Sequence, residues 1–169
     1  GALGSWGAAM LQNYSDRPDQ CGALRMTAEE FKAAVRPWVL AGWQVATHAI
    51  GDKANRVTLD VYEATLRELN LTGTDHRFRI EHAQILALED IPRFSQLGVL
   101  PSMQPIHAMY DLPWARERVG DERLAGAYAW QKMLASGVKA LPFGSDFPTS
   151  GVVNPWLGIY AAVARQDIH

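Results

Sequence analysis

The sequence predicts an α/β fold in which parallel strands alternate with helices. Four short apolar runs are each followed by a turn and then by a segment whose apolar residues have helical spacing. Apolar runs of this length are typical of strands that are buried on both faces of a sheet. Consecutive strand–helix units imply parallel strands joined by right-handed crossovers. No low-complexity linker or run of charge divides the chain, so we interpret residues 1–169 as one domain.

The first helix is predicted upstream of the first strand. Thr27 and Glu30 have the spacing of a capping box, in which each side chain accepts a hydrogen bond from a free backbone amide at the helix start. Apolar residues with helical spacing then continue to Gly42, which ends the helix, and Pro37 is expected to kink it. Residues 1–22 show no sustained period and are interpreted as a loop or a short extended segment.

The four strand–helix units follow in order along the chain. The strands are predicted over residues 43–47, 77–82, 99–104 and 138–143. The helices are predicted over residues 53–69, 88–97, 127–136 and 155–165, the last with Pro155 at its first position. A long connection rich in Trp and Arg is expected between the third strand and the third of these helices, over residues 108–126.

The composition and charge of the chain argue against several classes of binding partner. The net charge is −2, whereas binding to nucleic acid or to an anionic membrane calls for a clustered basic surface. No apolar run approaches the ~20 residues of a membrane span, and no signal peptide is visible. The single cysteine, Cys21, cannot form an internal disulfide. We therefore expect a cytoplasmic protein that binds neither nucleic acid nor membranes.

Three of the predicted strands end on a side chain that can bind a metal. His48 and His82 end the first two strands, and Asp146 follows the fourth. The carboxyl ends of parallel strands lie side by side, so these groups are expected to converge. Two imidazoles and a carboxylate suit Zn²⁺ and, with lower preference, Mn²⁺ or Fe²⁺. Taken singly, each histidine is more often structural and Asp146 more often a turn former, but the repeated placement favours a metal site.

Two residues near the third strand are further candidates. His107 lies just past that strand and is interpreted either as a group that orients a substrate or polarises a carbonyl, or as a buried structural histidine. Gln104, at the end of the same strand, is a candidate for substrate binding. Glu81 precedes His82 and should point to the opposite face of its strand, which favours packing or a salt bridge.

Four motifs, in order along the chain, resemble one family. They are the segments Thr47–Asp52, Arg79–Gln84, Ser102–His107 and Phe143–Pro148. Together they resemble the amidohydrolase superfamily and, more narrowly, amidohydrolase family 3, the YtcJ-like metal-dependent hydrolases. The resemblance covers nearly the whole chain. It implies a partial (β/α)8 TIM barrel that contains about strands five to eight of a metal-dependent hydrolase barrel.

The same resemblance implies the chemistry. It implies hydrolysis of non-peptide carbon–nitrogen bonds of the amide type. Water is the nucleophile, and one or two divalent metal ions, with zinc preferred, activate it. A small-molecule amide-type substrate is therefore expected. By this resemblance His48 and His82 are the metal ligands that end strands five and six. Asp146 is the aspartate of strand eight, a metal ligand that also accepts a proton from the water and passes it to the leaving amine.

Two features of that family are absent from this sequence. It contains no His-x-His pair of strand one and no match to the strand-four lysine, and a complete barrel needs about 250 residues. We therefore expect a barrel domain truncated at both ends and inactive alone. Its open half-barrel face, with unpartnered apolar side chains such as Ile80, is expected to cause self-association. Two alternatives stay open: a non-catalytic α/β domain with structural strand-end histidines, and a metal-dependent phosphoesterase that would use Lys53 and Arg79.

Overall fold

A parallel sheet organises the fold. The computed structural model describes residues 1–151 and 153–166, and within them three strands pair in the order β1, β2, β3. They are β1 (Ala46–Ala49), β2 (Arg79–His82) and β3 (Leu100–Ser102). The register of β1 on β2 sets Ala49 opposite His82. The predicted α/β class with parallel neighbours is thereby confirmed, while a partial barrel stays a prediction.

Helices alternate with these strands. They are α1 (Ala28–Leu40), α2 (Asp52–Glu68), α3 (Ile91–Leu97), α4 (Pro105–Asp111), α5 (Ala115–Leu124), α6 (Trp130–Ala135) and α7 (Pro155–Ala164). The capping box of Thr27 and Glu30 is present at the start of α1, and Gly98 ends α3 with a φ of 71°. α2 and α7 lie within one residue of their predicted bounds. No helix in the described ranges is long and apolar enough to cross a bilayer.

The hydrophobic core joins the sheet, α2 and the N-terminal segment. Ile80 of β2 is fully buried in this core, so the expectation that it lacks partners is wrong. Residues 1–22 are irregular, as predicted, but Met10 is fully buried in the same core. The carboxylate of Asp52 holds this segment by accepting a hydrogen bond from the backbone N–H of Leu11, with an N···O distance of 2.8 Å.

The predicted fourth strand is reduced to a single pairing. Residues 138–143 form no strand, and Phe143 makes one isolated parallel bridge with Met103. Two backbone hydrogen bonds of 3.0 Å hold this bridge, one of them from the Met103 N–H to the Pro142 carbonyl. Pro142 has no N–H to donate, which prevents a longer ladder. The segment still continues the parallel order beyond β3, so the loop that follows begins at the carboxyl ends of the strands.

The connection expected over residues 108–126 is largely helical, which corrects the prediction. α4 begins at Pro105, whose missing N–H costs little in the first helical turn, and its Met109 packs on Ala161 of α7. In α5, the guanidinium of Arg123 donates to backbone carbonyls of the N-terminal segment. The charged composition of α5 hides it from pattern analysis, because its buried residues, Ala115 and Val119, are too few to form an apolar stripe in the sequence.

The outer side of β1 is more open than predicted. The strand begins at Ala46 rather than at residue 43, and Trp43 is 63% exposed instead of buried. A groove of about 930 Å³ runs along β1 and is lined largely by apolar side chains, among them Leu24, Met26 and Trp38. The prediction of burial on both faces is therefore wrong for β1, since it is an edge strand of the described sheet and borders this groove.

Candidate metal centre

His82, the last residue of β2, has an unusual backbone conformation. Its φ is 77° and that of Ala83 is 43°, a left-handed region that is costly for residues with a side chain. The neighbouring strand holds the chain in this conformation, because the Ala83 N–H donates a hydrogen bond to the Ala49 carbonyl at 3.1 Å. The end of β1 therefore helps to determine where the His82 imidazole lies.

Asn55 of α2 reinforces the same turn. It is fully buried, and its Nδ2 lies within hydrogen-bond distance of the carbonyl oxygens of Gly51 (2.9 Å), Ala49 (3.2 Å) and Ile85 (3.3 Å). These carbonyls belong to the ends of β1 and β2 and the turns that follow them, so one side chain ties the two strand ends together. Sequence reasoning missed Asn55, although it lies in the helix that directly follows the His48 motif.

Replacing Asn55 by Ala is expected to lower the free energy of unfolding by about 1–3 kcal/mol, because the strand ends lose a buried hydrogen-bond donor. Lys53→Ala, at an exposed position of the same helix, is the matched control and should change this free energy by less than about 0.5 kcal/mol. Chemical denaturation measures both values. An Asn55→Ala protein as stable as the control would contradict the assigned role.

Asp146 reaches the site from the loop that follows Phe143. Its φ is 57°, a left-handed conformation that Asp tolerates better than most residues do. Its side chain is 32% exposed, so water and a substrate can reach the carboxylate. The Oδ2 atom of Asp146 lies 3.6 Å from the Nε2 atom of His107.

Three candidate residues come together at this point. Metal-binding atoms of His82, His107 and Asp146 all lie within 4.8 Å of one another. The rings of His82 and His107 are stacked, with centroids 5.5 Å apart and planes inclined by 17°. The His48 ring meets the His82 ring edge-on, with 4.5 Å between centroids, but does not belong to the compact group. Of the predicted ligands, His82 and Asp146 are therefore grouped, His48 lies beside them, and His107 joins them.

The histidines of this cluster favour the neutral form. Burial, together with the two neighbouring histidines, lowers the pKa of His82 to about 4. Burial also lowers the pKa of His107, against the opposing effect of Asp146. The pKa of His48 is lowered as well, first by its partial burial. Because a neutral imidazole is the form that binds a metal, these shifts favour metal binding at neutral pH.

Five buried side-chain polar atoms have no hydrogen-bond partner in the part of the chain that the structure describes, and two of them belong to predicted site residues. These two are Nδ1 of His82 and Oε1 of Gln104. Gln104 directly precedes α4, and its Nε2 donates to the Ser102 carbonyl at 3.1 Å. A buried polar atom without a partner is costly unless a ligand contacts it. Two imidazoles, one of which has an unpartnered nitrogen, and a carboxylate thus fit a divalent metal.

Comparisons with known proteins agree with the resemblance of the motifs. The model of the amidohydrolase family matches residues 1–169. The protein LONG AFTER FAR-RED 3 of Arabidopsis thaliana is 39% identical over 166 residues, which cover 98% of this chain and 28% of that protein. The protein described as "Putative amidohydrolase YtcJ" of Bacillus subtilis (strain 168) is 32% identical over 169 residues, which cover 100% of this chain and 31% of that protein.

Two crystal structures, each described as an uncharacterized metal-dependent hydrolase, share the fold. The one from Pyrococcus furiosus has a TM-score of 0.84 and 34% identity, covering 96% of this chain and 32% of that one. The one from Pyrococcus horikoshii OT3 has a TM-score of 0.85 and 37% identity, covering 98% of this chain and 32% of that one. This chain thus spans about a third of the length of these relatives. Because the family model matches the whole chain, this chain belongs to the amidohydrolase family.

Proposed function

We propose that this chain carries the metal site of a hydrolase that cleaves non-peptide carbon–nitrogen bonds of the amide type, with water as the nucleophile. The observation that carries the proposal is the approach of the His82, His107 and Asp146 donor atoms to within 4.8 Å of one another. Family membership and the likeness to two structures described as metal-dependent hydrolases support it. The activity is proposed for the whole protein, in which the sheet would be part of a (β/α)8 barrel.

His48, His82 and Asp146 are proposed to hold a divalent metal. Imidazole nitrogens and a carboxylate oxygen are ligands that Zn²⁺ prefers, and the whole protein would hold one or two ions. His107 is the second candidate for the third ligand, because it belongs to the compact group of donor atoms whereas His48 stands beside that group. His82 and Asp146 are common to both ligand sets.

The residues around the metal have separate roles in the proposed reaction. A bound Zn²⁺ would polarise the substrate carbonyl and lower the pKa of the attacking water. Asp146 accepts the proton of that water and passes it to the leaving amine, for which its partial exposure leaves room. His107 favours the neutral form through burial and donates a hydrogen bond to the carbonyl oxygen. Gln104, which directly precedes α4, is proposed as a second residue for substrate binding. A small amide-type molecule presents a carbonyl oxygen to His107.

A non-catalytic domain with structural histidines is disfavoured by a comparison within the same chain. His76 is a structural histidine: its Nε2 lies 2.8 Å from the Leu97 carbonyl, and its Nδ1 accepts a hydrogen bond from the Phe78 N–H at 3.0 Å. The buried Nδ1 of His82, in contrast, makes no well-formed hydrogen bond among the described residues, although the Gln104 side chain lies close enough to affect the pKa of His82. A histidine retained for packing alone would be expected to resemble His76.

A phosphoesterase is also disfavoured. Phosphate binding calls for free guanidinium or ammonium groups at the site. Arg79 forms an ion pair with Glu81, the salt bridge that the alternation of β2 predicts for Glu81. Of the two residues named for this alternative, Lys53 would then be left to assist a metal in neutralising a phosphate, which is weak support for that chemistry.

Replacing His82 by Ala is expected to abolish zinc binding, because both proposed ligand sets contain this residue. His48→Ala and His107→Ala, measured beside it, identify the third ligand, since only the variant that removes a ligand should lose the metal. His76→Ala is the matched control and should keep the metal. Metal content after dialysis and calorimetric titration with zinc chloride measure the outcome.

Circular dichroism of each variant separates loss of a ligand from loss of the fold. A folded His82→Ala protein that retains zinc as the wild type does would contradict the proposed metal site. Loss of zinc in the His76→Ala control, with the fold intact, would show that binding occurs elsewhere.

A further inference from the structure

A largely buried hydrogen-bonded cluster lies next to the proposed metal centre and consists of Gln84, Asp111 and Tyr128. The Oδ2 atom of Asp111 accepts a hydrogen bond from Nε2 of Gln84 at 2.7 Å and another from the Tyr128 hydroxyl. The Gln84 Nε2 also lies 3.0 Å from the Tyr128 hydroxyl oxygen, which closes the triangle. Gln84 and Tyr128 are only 4% and 6% exposed. Sequence analysis singled out none of the three.

Each member of the cluster comes from a different part of the fold. Gln84 follows the strand-ending His82 by two residues. Asp111 is the last residue of α4 and lies one helical turn after His107, on the same face of the helix. Tyr128 lies between α5 and α6, and its backbone N–H donates to the Gln84 carbonyl at 2.8 Å. The cluster therefore links the segment that carries His82 to the helix that carries His107.

A residue that follows α7 stabilises the backbone of the cluster at Tyr128. The guanidinium of Arg165, which follows α7, donates to the carbonyls of Tyr128 at 2.8 Å and Ala127 at 3.0 Å. Both donors to the Asp111 carboxylate are neutral, so the contact is not an ion pair. A half-buried carboxylate bound only by neutral donors stabilises a fold less well than apolar packing of similar volume would. The directions of the hydrogen bonds that Asp111 accepts, rather than added stability, therefore account for its role.

We propose that Asp111 is a positioning residue that, through Gln84 and Tyr128, holds His107 stacked against His82 at the metal site. The fixed end of α4 sets the rotation of this short helix and with it the direction of the His107 ring. The functional meaning of this role rests on the proposed hydrolase, but the ring arrangement itself can be measured without metal or substrate.

The test compares Asp111→Ala with Asp111→Asn, and Asp121→Ala serves as an exposed control on α5. Asn keeps an oxygen that can accept both hydrogen bonds, because both of them reach the same carboxylate oxygen, whereas Ala keeps neither. The first readout is the nuclear Overhauser contact between the His82 and His107 rings in metal-free, histidine-labelled protein. The second is the affinity for zinc chloride.

Asp111→Ala is expected to lose the ring contact and to bind zinc about 10-fold more weakly, a loss of the size seen when a partner that orients a metal ligand is removed. Asp111→Asn and Asp121→Ala are expected to retain both. If Asp111→Ala does not fold, Tyr128→Phe, which removes one hydroxyl group, should weaken the ring contact in part.

The outcomes separate the two proposals. An Asp111→Ala protein that is folded and has the wild-type ring contact and zinc affinity would overturn the positioning role, and so would an Asp111→Asn protein that behaves like Asp111→Ala. If the wild type binds no zinc but the ring contact is lost only in Asp111→Ala, the proposed metal chemistry fails and the positioning role stands.

Discussion

Replacing Asp146 by Asn is expected to lower the turnover number of the metal-loaded whole protein by about 10²–10⁴-fold, the usual contribution of a general acid–base group. The amide has nearly the same shape and retains an oxygen for the metal, but it cannot accept the proton of the attacking water. The Asp146 side chain is 32% exposed, so both water and the leaving amine can reach it. Turnover on a panel of non-peptide amides, with metal content measured on the same samples, checks this result.

Asp121→Asn is the matched control for this substitution. Asp121 is exposed on α5 and pairs with Arg116, so the same chemical change occurs away from the site. It should leave turnover and metal content unchanged. Near-normal turnover of Asp146→Asn with full metal content would remove Asp146 from proton transfer. If turnover fell only in proportion to lost metal, the role of Asp146 would be limited to ligation.

Helix ends could be predicted because their signals are local. The capping box of Thr27 and Glu30, the left-handed Gly98 after α3 and Pro155 at the start of α7 each depend on residues within a few positions along the chain. The proximity of His48 to His82 could be predicted for a different reason. Parallel neighbours align their carboxyl ends, and residues that end them then lie side by side.

The position of His107 could not be predicted in the same way. It stands on α4, whose direction depends on packing against α7 and on the pairing of Met103 with Phe143, both of them contacts between distant parts of the sequence. The left-handed backbone of His82 is equally hidden, because a histidine gives no local signal for it. The neighbouring strand and the buried Asn55 impose that conformation, and only the folded chain brings them together.

The fourth strand shows where pattern analysis overestimates regular structure. Residues 138–143 have the apolar run of a strand, but Pro142 cannot donate to a ladder and the segment lies at the edge of the described sheet. The single pairing at Phe143 is nevertheless enough to place the loop that carries Asp146. Asp146 therefore lies beside His82 and His107 although the predicted strand did not form.

The isolated 169-residue chain is expected to self-associate, because two apolar surfaces lie open. One is the groove of about 930 Å³ beside β1, which Trp43 helps to line. The other is the outer side of α7, where Trp156, Ile159 and Val163 are 73%, 53% and 83% exposed. Burying such a side chain contributes roughly 1.5–3 kcal/mol, so several of them together rival the roughly 5–15 kcal/mol that stabilises a whole domain. In a purified solution a second copy of the chain is the partner available to cover these surfaces.

Size-exclusion chromatography with light scattering should therefore give a mass above the 18.7 kDa of one chain. Trp43→Glu and Val163→Glu each place a charge on one of the two surfaces, so the variant that restores the monomer identifies the surface that associates. Lys53→Glu, an exposed change outside both surfaces, is the control. The chain alone is also expected to be inactive on amides that the whole protein hydrolyses, because the rest of the proposed barrel would complete the ligand set and enclose the site. A stable monomer with zinc-dependent turnover would contradict both expectations and would mean that the His82 site works within these 169 residues.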